Sequence, residues 1–189
     1  IMASRILKNI DTCARHNIPV IVVHPSYDPP ELAINAIARQ RYTAIGNYAR
    51  EQHVTIAFEN LKYTKNLEFI MGLVPDAKFC WDCGHENCFT PGKQFMPLFG
   101  DRLICTHIHD NNGVFNEDKH MLPFDGTLDY QRVARQLRES GYQGTLMLEV
   151  MAGTNHHYEG ENYQGMFPQE YLQRAAAAAK RGKRTVSYT

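Results

Sequence analysis

Ile104-Cys105-Thr106-His107-Ile108-His109 is a short apolar run that ends abruptly in imidazoles, and four more runs along the chain end in the same manner. They are Ile21-Val22-Val23-His24, Thr55-Ile56-Ala57-Phe58-Glu59, Lys78-Phe79-Cys80-Trp81-Asp82 and Thr145-Leu146-Met147-Leu148-Glu149. Near-continuous apolar runs of this length are what strands buried on both faces look like in sequence. Between successive runs there is room for one loop, one helix and one loop, and repeated strand–helix units make a parallel sheet. The acid or imidazole falls each time at the strand's carboxyl end, so the five side chains are expected to open into one mouth.

Working outward, helical spacing of Ile6, Ile10 and Cys13 predicts a helix over 3–16, with Asn17 placed to stop it. Strand one covers 18–24 and is ended by Pro25. A broad helical face runs over 31–53, followed by strand two at 54–59 and a short helix at 66–73. Strand three is 78–82. A loop with Gly84, Pro91 and Gly92 leads to a turn at 95–99, then to strand four at 103–109. A long polar loop, 110–126, precedes a helix over 128–140, strand five at 144–150, a loop over 151–166 and a helix over 168–181. This alternation makes either an open doubly wound sheet or part of a (β/α)8 TIM barrel. An open sheet concentrates its site at one switch point, whereas a barrel uses many strand ends, so the barrel is the expected α/β fold. Barrels run to about 250 residues, and this chain of 189 opens inside a helix with Ile1. The expectation is a single TIM-barrel domain over 1–189 that holds the last five β/α units and lacks its N-terminal strands.

Composition is that of a soluble globular protein: 43% hydrophobic, 21% charged, with 20 basic and 20 acidic residues. A net charge of zero supplies no overall field to hold nucleic acid. The basic run Lys180-Arg181-Gly182-Lys183-Arg184 reads as the end of a solvated helix. No stretch reaches the roughly 18 apolar residues of a membrane span, and no signal peptide is visible. Five cysteines without regular spacing argue against a disulfide framework and for a reducing cytoplasm. Cys80-Trp81-Asp82-Cys83 fits a redox C-x-x-C in letters only, because it is read as lying within a strand.

Among the strand ends, Glu59, Asp82, His109 and Glu149 give three carboxylates and one imidazole. That set suits a divalent cation, Mn²⁺ or Zn²⁺ first, with Co²⁺ and Mg²⁺ as alternatives. Carboxylates side by side in one mouth repel unless a cation lies between them. His107 shares a strand face with His109 and reads as its hydrogen-bonding support or as a core histidine. Asn60 is placed to orient Glu59 or a hydroxyl. Trp81 alternates away from Asp82 and is expected to pack between sheet and helix. Asp110 and Asn111 read as residues that bond loop backbone. His156 and His157 sit in the loop after strand five.

Val23-His24-Pro25-Ser26, Phe58-Glu59-Asn60, Trp81-Asp82-Cys83-Gly84-His85, His107-Ile108-His109-Asp110-Asn111 and Asp118-Lys119-His120-Met121-Leu122-Pro123 together resemble the xylose-isomerase-like TIM barrels. Gly126-Thr127-Leu128-Asp129-Tyr130 and Leu148-Glu149-Val150 are similar to their last helix and strand. That group contains sugar and sugar-phosphate isomerases and epimerases, together with apurinic endonucleases of the endonuclease IV type. In the isomerase branch the resemblance implies one metal ion on Glu59, Asp82, His109 and Glu149. It implies further that Glu59 and Glu149 flank the reacting carbons as catalytic residues. His85 would contact substrate, with Asn60 and His24 as further substrate-binding positions. The activity implied is proton transfer through an enediolate on a small sugar or sugar phosphate, with nucleic acid and membrane not expected as partners and a homo-oligomer left open. In the endonuclease branch His24, His85, Asp118 and His120 would be additional zinc ligands of a phosphodiesterase acting on abasic DNA. The arginine that some ketose epimerases carry after the His109 position is absent here, where Asn111, Asn112 and Phe115 stand. A third reading is a truncated barrel whose metal site is not catalytic.

Overall fold

A computed structural model describes residues 2–152, 163 and 165–187. Backbone packing divides the chain into two compact units, Ile1–Cys80 with Arg102–Ile104, and Trp81–Asp101 with Cys105–Thr189. Strands β3 (Lys78–Asp82) and β4 (Leu103–Ile108) each contribute residues to both.

The first unit begins with α1 (Met2–Arg15), which Asn17 ends by taking a left-handed φ of 55°. β1 (Val20–Val23) follows, then a single turn α2 (Pro30–Ala33) and the longer α3 (Ala36–Glu51). The sequence predicts one helix over 31–53. It divides at Asn35, whose side chain accepts a hydrogen bond from Ala38 N at 2.8 Å and caps α3. β2 (Thr55–Glu59) and α4 (Thr64–Leu73) complete the pattern. The strands pair in parallel, Val20 opposite Thr55 and Ala57 opposite Lys78. Ile10, Ile45, Phe58, Leu67, Ile70 and Phe79 form a dry core between them. Arg102 closes the end of α4 by donating to the carbonyls of Met71, Val74 and Ala77.

The second unit contains a helix the sequence did not announce, α5 (Cys83–Phe89), directly after β3. Gly84 and the cysteines read as loop. Asp82 nonetheless caps the helix, its Oδ1 accepting from His85 N at 2.6 Å. A short α6 (Met96–Phe99) leads into β4, and α7 (Tyr130–Glu139) begins two residues later than expected because Asp129 caps it. β5 (Leu146–Leu148) lies parallel to β4, with Thr106 opposite Leu146. α8 (Pro168–Ser187) runs past residue 181 and takes the basic run into its last turns. Trp81, Phe95, Leu122, Val133 and Leu137 are buried here. Glu86 is buried too, accepting from Trp81 Nε1 at 3.0 Å and from Phe95 N at 2.9 Å, and pairing with Arg132. Trp81 therefore packs inside, as expected.

Along the sheet the strands follow in chain order, β1-β2-β3-β4-β5. An open doubly wound sheet reverses direction at a switch point; this order does not, and it is the order a barrel requires. No described helix is long and apolar enough to cross a membrane.

Candidate metal and catalytic site

β2 ends in Glu59, which is fully buried and followed by the equally buried Asn60. Within the same unit, His24 Nε2 lies 3.1 Å from Glu59 Oε2, and the Tyr27 hydroxyl lies 2.9 Å from His24 Nδ1. The imidazole is thus oriented from both sides, while its side chain stays 43% exposed.

In the second unit, Asp82, His107 and Glu149 come together. His107 Nδ1 lies 3.1 Å from Glu149 Oε2 and 4.0 Å from Asp82 Oδ2. Their ligand-type atoms fall within 4.8 Å of one another. Glu149 Oε2 is buried and accepts no hydrogen bond. A buried carboxylate oxygen without a donor is costly. Lone pairs that converge without bonding each other are what a cation resolves. The sequence reading gave the ligand role to His109 and a supporting role to His107. The structure places His107 beside Glu149 and groups His109 with His85, Asp118 and His120.

His109 belongs to a second group, with His85, Asp118 and His120, all buried and with ligand-type atoms within 4.8 Å of one another. Asp118 Oδ2 lies 3.1 Å from His85 Nε2 and 3.0 Å from His120 Nε2, and Oδ1 lies 3.6 Å from His109 Nε2. His109 stacks on His120, ring centres 4.1 Å apart. Its Nε2 also stands 3.0 Å from Asp82 Oδ1 without the alignment of a hydrogen bond. Gly84 leaves room for that ring, since a Cβ there would lie 2.1 Å from it. His24, expected among these ligands, is placed in the first unit with Glu59. His85, expected either at the substrate or as an additional ligand with Asp118 and His120, lies against Asp118.

The protons of this group are constrained. His120 Nδ1 donates to the Glu149 carbonyl at 2.7 Å, so a neutral ring has only a lone pair left on Nε2. That lone pair faces the Asp118 carboxylate, and two acceptors at 3.0 Å need a proton or a cation between them. Burial opposes a charged His120, yet its hydrogen bond to Asp118 and that residue's charge outweigh burial and raise its pKa. Burial likewise works against a charged Asp118, but hydrogen bonds from His120 and His85 pull its carboxyl well below the usual range. In the absence of a cation, the group is held together by protons that a metal would displace.

Burial argues against redox chemistry of the C-x-x-C kind at Cys80 and Cys83, both thiols with no exposed surface. Cys83 does open a helix, contrary to the strand expected, but burial and the neighbouring Asp82 and Glu86 push its thiol well up. Burial and the Asp118 charge push Cys88 up to about 12. Reactive thiols are depressed, not raised. Iodoacetamide at pH 8 is expected to leave Cys83 and Cys88 unmodified in the folded chain, read by peptide mass spectrometry. Labelling of either within minutes would show a thiolate and contradict this.

His156 and His157 lie outside the described residues. Glu86 was not picked out in the sequence; a lone glutamate in a helix gives no signal of burial until Arg132, far along the chain, is seen against it.

The chain matches the family model described as xylose isomerase-like TIM barrel over residues 3–179. Uncharacterized protein y4fM of Sinorhizobium fredii is 43% identical over 72 residues, 38% of this chain and 22% of that protein. Uncharacterized protein MJ1311 of Methanocaldococcus jannaschii is 27% identical over 152 residues, 69% of this chain and 50% of that protein. The chain therefore spans half the length of MJ1311 and less of y4fM. Among solved structures, a D-tagatose 3-epimerase-like protein superposes with a TM-score of 0.69 at 22% identity, covering 97% of this chain and 69% of that one. D-psicose 3-epimerase with D-tagatose from Clostridium cellulolyticum H10 gives 0.72 at 13% identity, with 97% and 70% covered. The IOLI protein with a binding zinc atom gives 0.67 at 19%, with 97% and 68% covered. At such identities the likeness bears on fold, and function has to be argued from the site.

Proposed function

Since the chain belongs to the xylose isomerase-like TIM barrel family, we propose that it is a metal-dependent sugar or sugar-phosphate isomerase or epimerase working through an enediolate. The single observation that carries the reading is the convergence of Asp82, His107 and Glu149, with a buried Glu149 oxygen that accepts no hydrogen bond. These residues fit a divalent cation, Mn²⁺ or Zn²⁺ in the first place, and by the family resemblance Glu59 is the fourth ligand. The sugar-epimerase structures with the same fold support the substrate class.

When bound, the cation would supply charge to stabilise an enediolate and so acidify the adjacent C–H. The rest falls to side chains. One glutamate, Glu59 or Glu149, takes the proton from carbon on one face, and the other returns a proton to the opposite face. His24 holds Glu59 Oε2 at 3.1 Å and is itself held by Tyr27, which orients that carboxylate. Asn60 is proposed to meet a substrate hydroxyl.

A second reading, a zinc phosphodiesterase acting on abasic DNA, draws on the His85, His109, Asp118 and His120 group, whose ligand-type atoms could hold a further cation. Four buried protein ligands make a closed site, the form that structural zinc takes, so this site is proposed to stabilise and not to react.

The test is deuterium wash-in. Ketohexoses and ketopentose phosphates are incubated with the chain and Mn²⁺, Co²⁺, Zn²⁺ or Mg²⁺ in D₂O and followed by proton NMR, with abasic duplex DNA in parallel. Loss of one carbon-bound proton signal together with appearance of the epimer or isomer is expected. Cleavage of the abasic duplex without any exchange would replace this reading by the second.

A further inference from the structure

We propose that the buried pair Asp110 and Asn111 is a brace that sets the geometry of the His85, His109, Asp118 and His120 group, with Asp110 as its principal positioning residue. The inference rests on reading that group as a cation site. Its members come from three pieces of chain: α5 supplies His85, the end of β4 supplies His109, and the following loop supplies Asp118 and His120. Asp82 and the Glu149 carbonyl each hold one member, at His85 N and His120 Nδ1, but neither joins the helix to the loop. The two residues directly after His109 bond to both.

Asp110 reaches the loop. Its Oδ1 accepts from the backbone N–H of Asn111 at 2.9 Å and Leu128 at 3.1 Å, and its Oδ2 accepts from Phe124 N at 3.0 Å. Its own backbone pairs with Met121 in both directions, at 2.9 and 2.8 Å, next to His120. Asn111 reaches the helix. Its Nδ2 donates to the carbonyl of Gly84, beside His85, at 2.8 Å, and its Oδ1 accepts from Asn87 Nδ2 at 2.8 Å and Gly113 N at 3.0 Å. The Asn111 carbonyl takes Thr127 N at 2.9 Å. Both residues are fully buried.

A carboxylate is buried only where donors meet it. The side-chain hydrogen bonds named for Asp110 all come from backbone amides, so its charge is committed to the course of the loop. That loop needs holding: His120 and Phe124 sit at φ of 45° and 76°, a region non-glycine residues rarely adopt without support. Gly126 shows how closely the loop is drawn in. A Cβ there would lie 2.4 Å from Asp110 Oδ1 and 2.3 Å from the Asn111 carbonyl. Asp110 touches neither cation nor substrate in this scheme. It acts through Asp118 and His120.

The experiment compares the full chain with its Asp110→Asn and Gly126→Ala variants. The first keeps the side chain's shape but turns an amide N–H toward donors; the second forces the loop off the brace and serves should the first not fold. Two readouts are used: long-range ¹H–¹⁵N spectra of the histidine rings in metal-free protein, and Zn²⁺ affinity. Expected in either variant are shifted ring signals for His85, His109 and His120, loss of the Nδ1–H form of His120, an unmoved His24 signal, and Zn²⁺ affinity at this group lower by about 10–100-fold, the size of effect that supporting partners of metal ligands produce. Wild-type ring signals and wild-type Zn²⁺ affinity in folded variants would overturn the brace, even if their melting temperature fell. Should the unmutated chain take up no Zn²⁺ at the group, the cation reading fails by itself, and the ring spectra alone decide for or against the brace.

Discussion

Glu149→Gln is expected to lower epimerisation kcat by about 10²–10⁴-fold, the range that loss of one positioned acid–base group commonly produces. Glutamine keeps the length and planarity of the side chain but can neither take up nor deliver a proton. The substitution is clean because Glu149 serves the structure through its backbone. Its carbonyl fixes the Nδ1–H of His120 at 2.7 Å, and that bond survives any change of side chain. Its Oε2, by contrast, is buried near His107 and accepts no hydrogen bond, which suits the proposed role. The proposed two-base mechanism adds a sharper expectation. In that mechanism Glu59 remains as the second base when Glu149 is disabled, so deuterium is expected to enter one epimer faster than the other while interconversion nearly stops. The Glu59→Gln variant reverses the preference. A loss below about tenfold in both variants, with exchange equal from both epimers, would remove the glutamates from the proton path. A variant that also loses the cation loses exchange from both epimers, so cation content is measured alongside.

How much of this was legible beforehand divides along a physical line. Strand positions were legible because a parallel strand buried on both faces is apolar throughout, and because the polar residue at its end breaks the run; Glu59 and Asp82 end their strands as read, and Glu149 directly follows β5, which is shorter than the 144–150 expected. The strand order follows from the same pattern. Helix α5 was not legible, because the residue that caps it, Asp82, was already accounted for as a strand end, and the glycine beyond it reads as loop. That glycine is there for the His109 ring. The different partners of His107 and His109 left no trace in the sequence for a different reason. Residues two apart on a strand share a face, so periodicity gives both histidines the same direction and says nothing of their depth. The partners decide: Glu149 on β5 for one, and the loop that returns with Asp118 and His120 for the other. Contacts that close over tens of residues leave no trace in local pattern. Asp110 and Asn111 were read as loop-bonding residues, which they are; that the loop they bond carries two members of the histidine group is visible only in three dimensions.

His107→Ala and His109→Ala are expected to separate the two proposed cation sites. Full coordination of a structural Zn²⁺ is worth about 10–16 kcal/mol, so one ligand of four accounts for roughly 2.5–4 kcal/mol. At about 1.4 kcal/mol per decade, that is a loss of about 10²–10³-fold in affinity. His107→Ala removes the imidazole between Asp82 and Glu149 and leaves Asp118 with all three of its histidines. It is expected to abolish turnover at micromolar cation while one Zn²⁺ per chain is retained. His109→Ala leaves His107 beside Glu149 but empties the ring space over Gly84 and the stack on His120. This variant is expected to lose the retained Zn²⁺ and to unfold at lower temperature, yet to turn over substrate when Mn²⁺ is supplied. Elemental analysis of protein purified without chelator counts the ions, and NMR exchange reports the turnover. The opposite pattern, turnover lost with His109 and kept with His107, would return the catalytic cation to His109 and reduce His107 to its support. Equal loss of both ions in both variants would mean that the two groups hold their cations as one linked cluster, and the division of labour between a reacting and a stabilising site would fall.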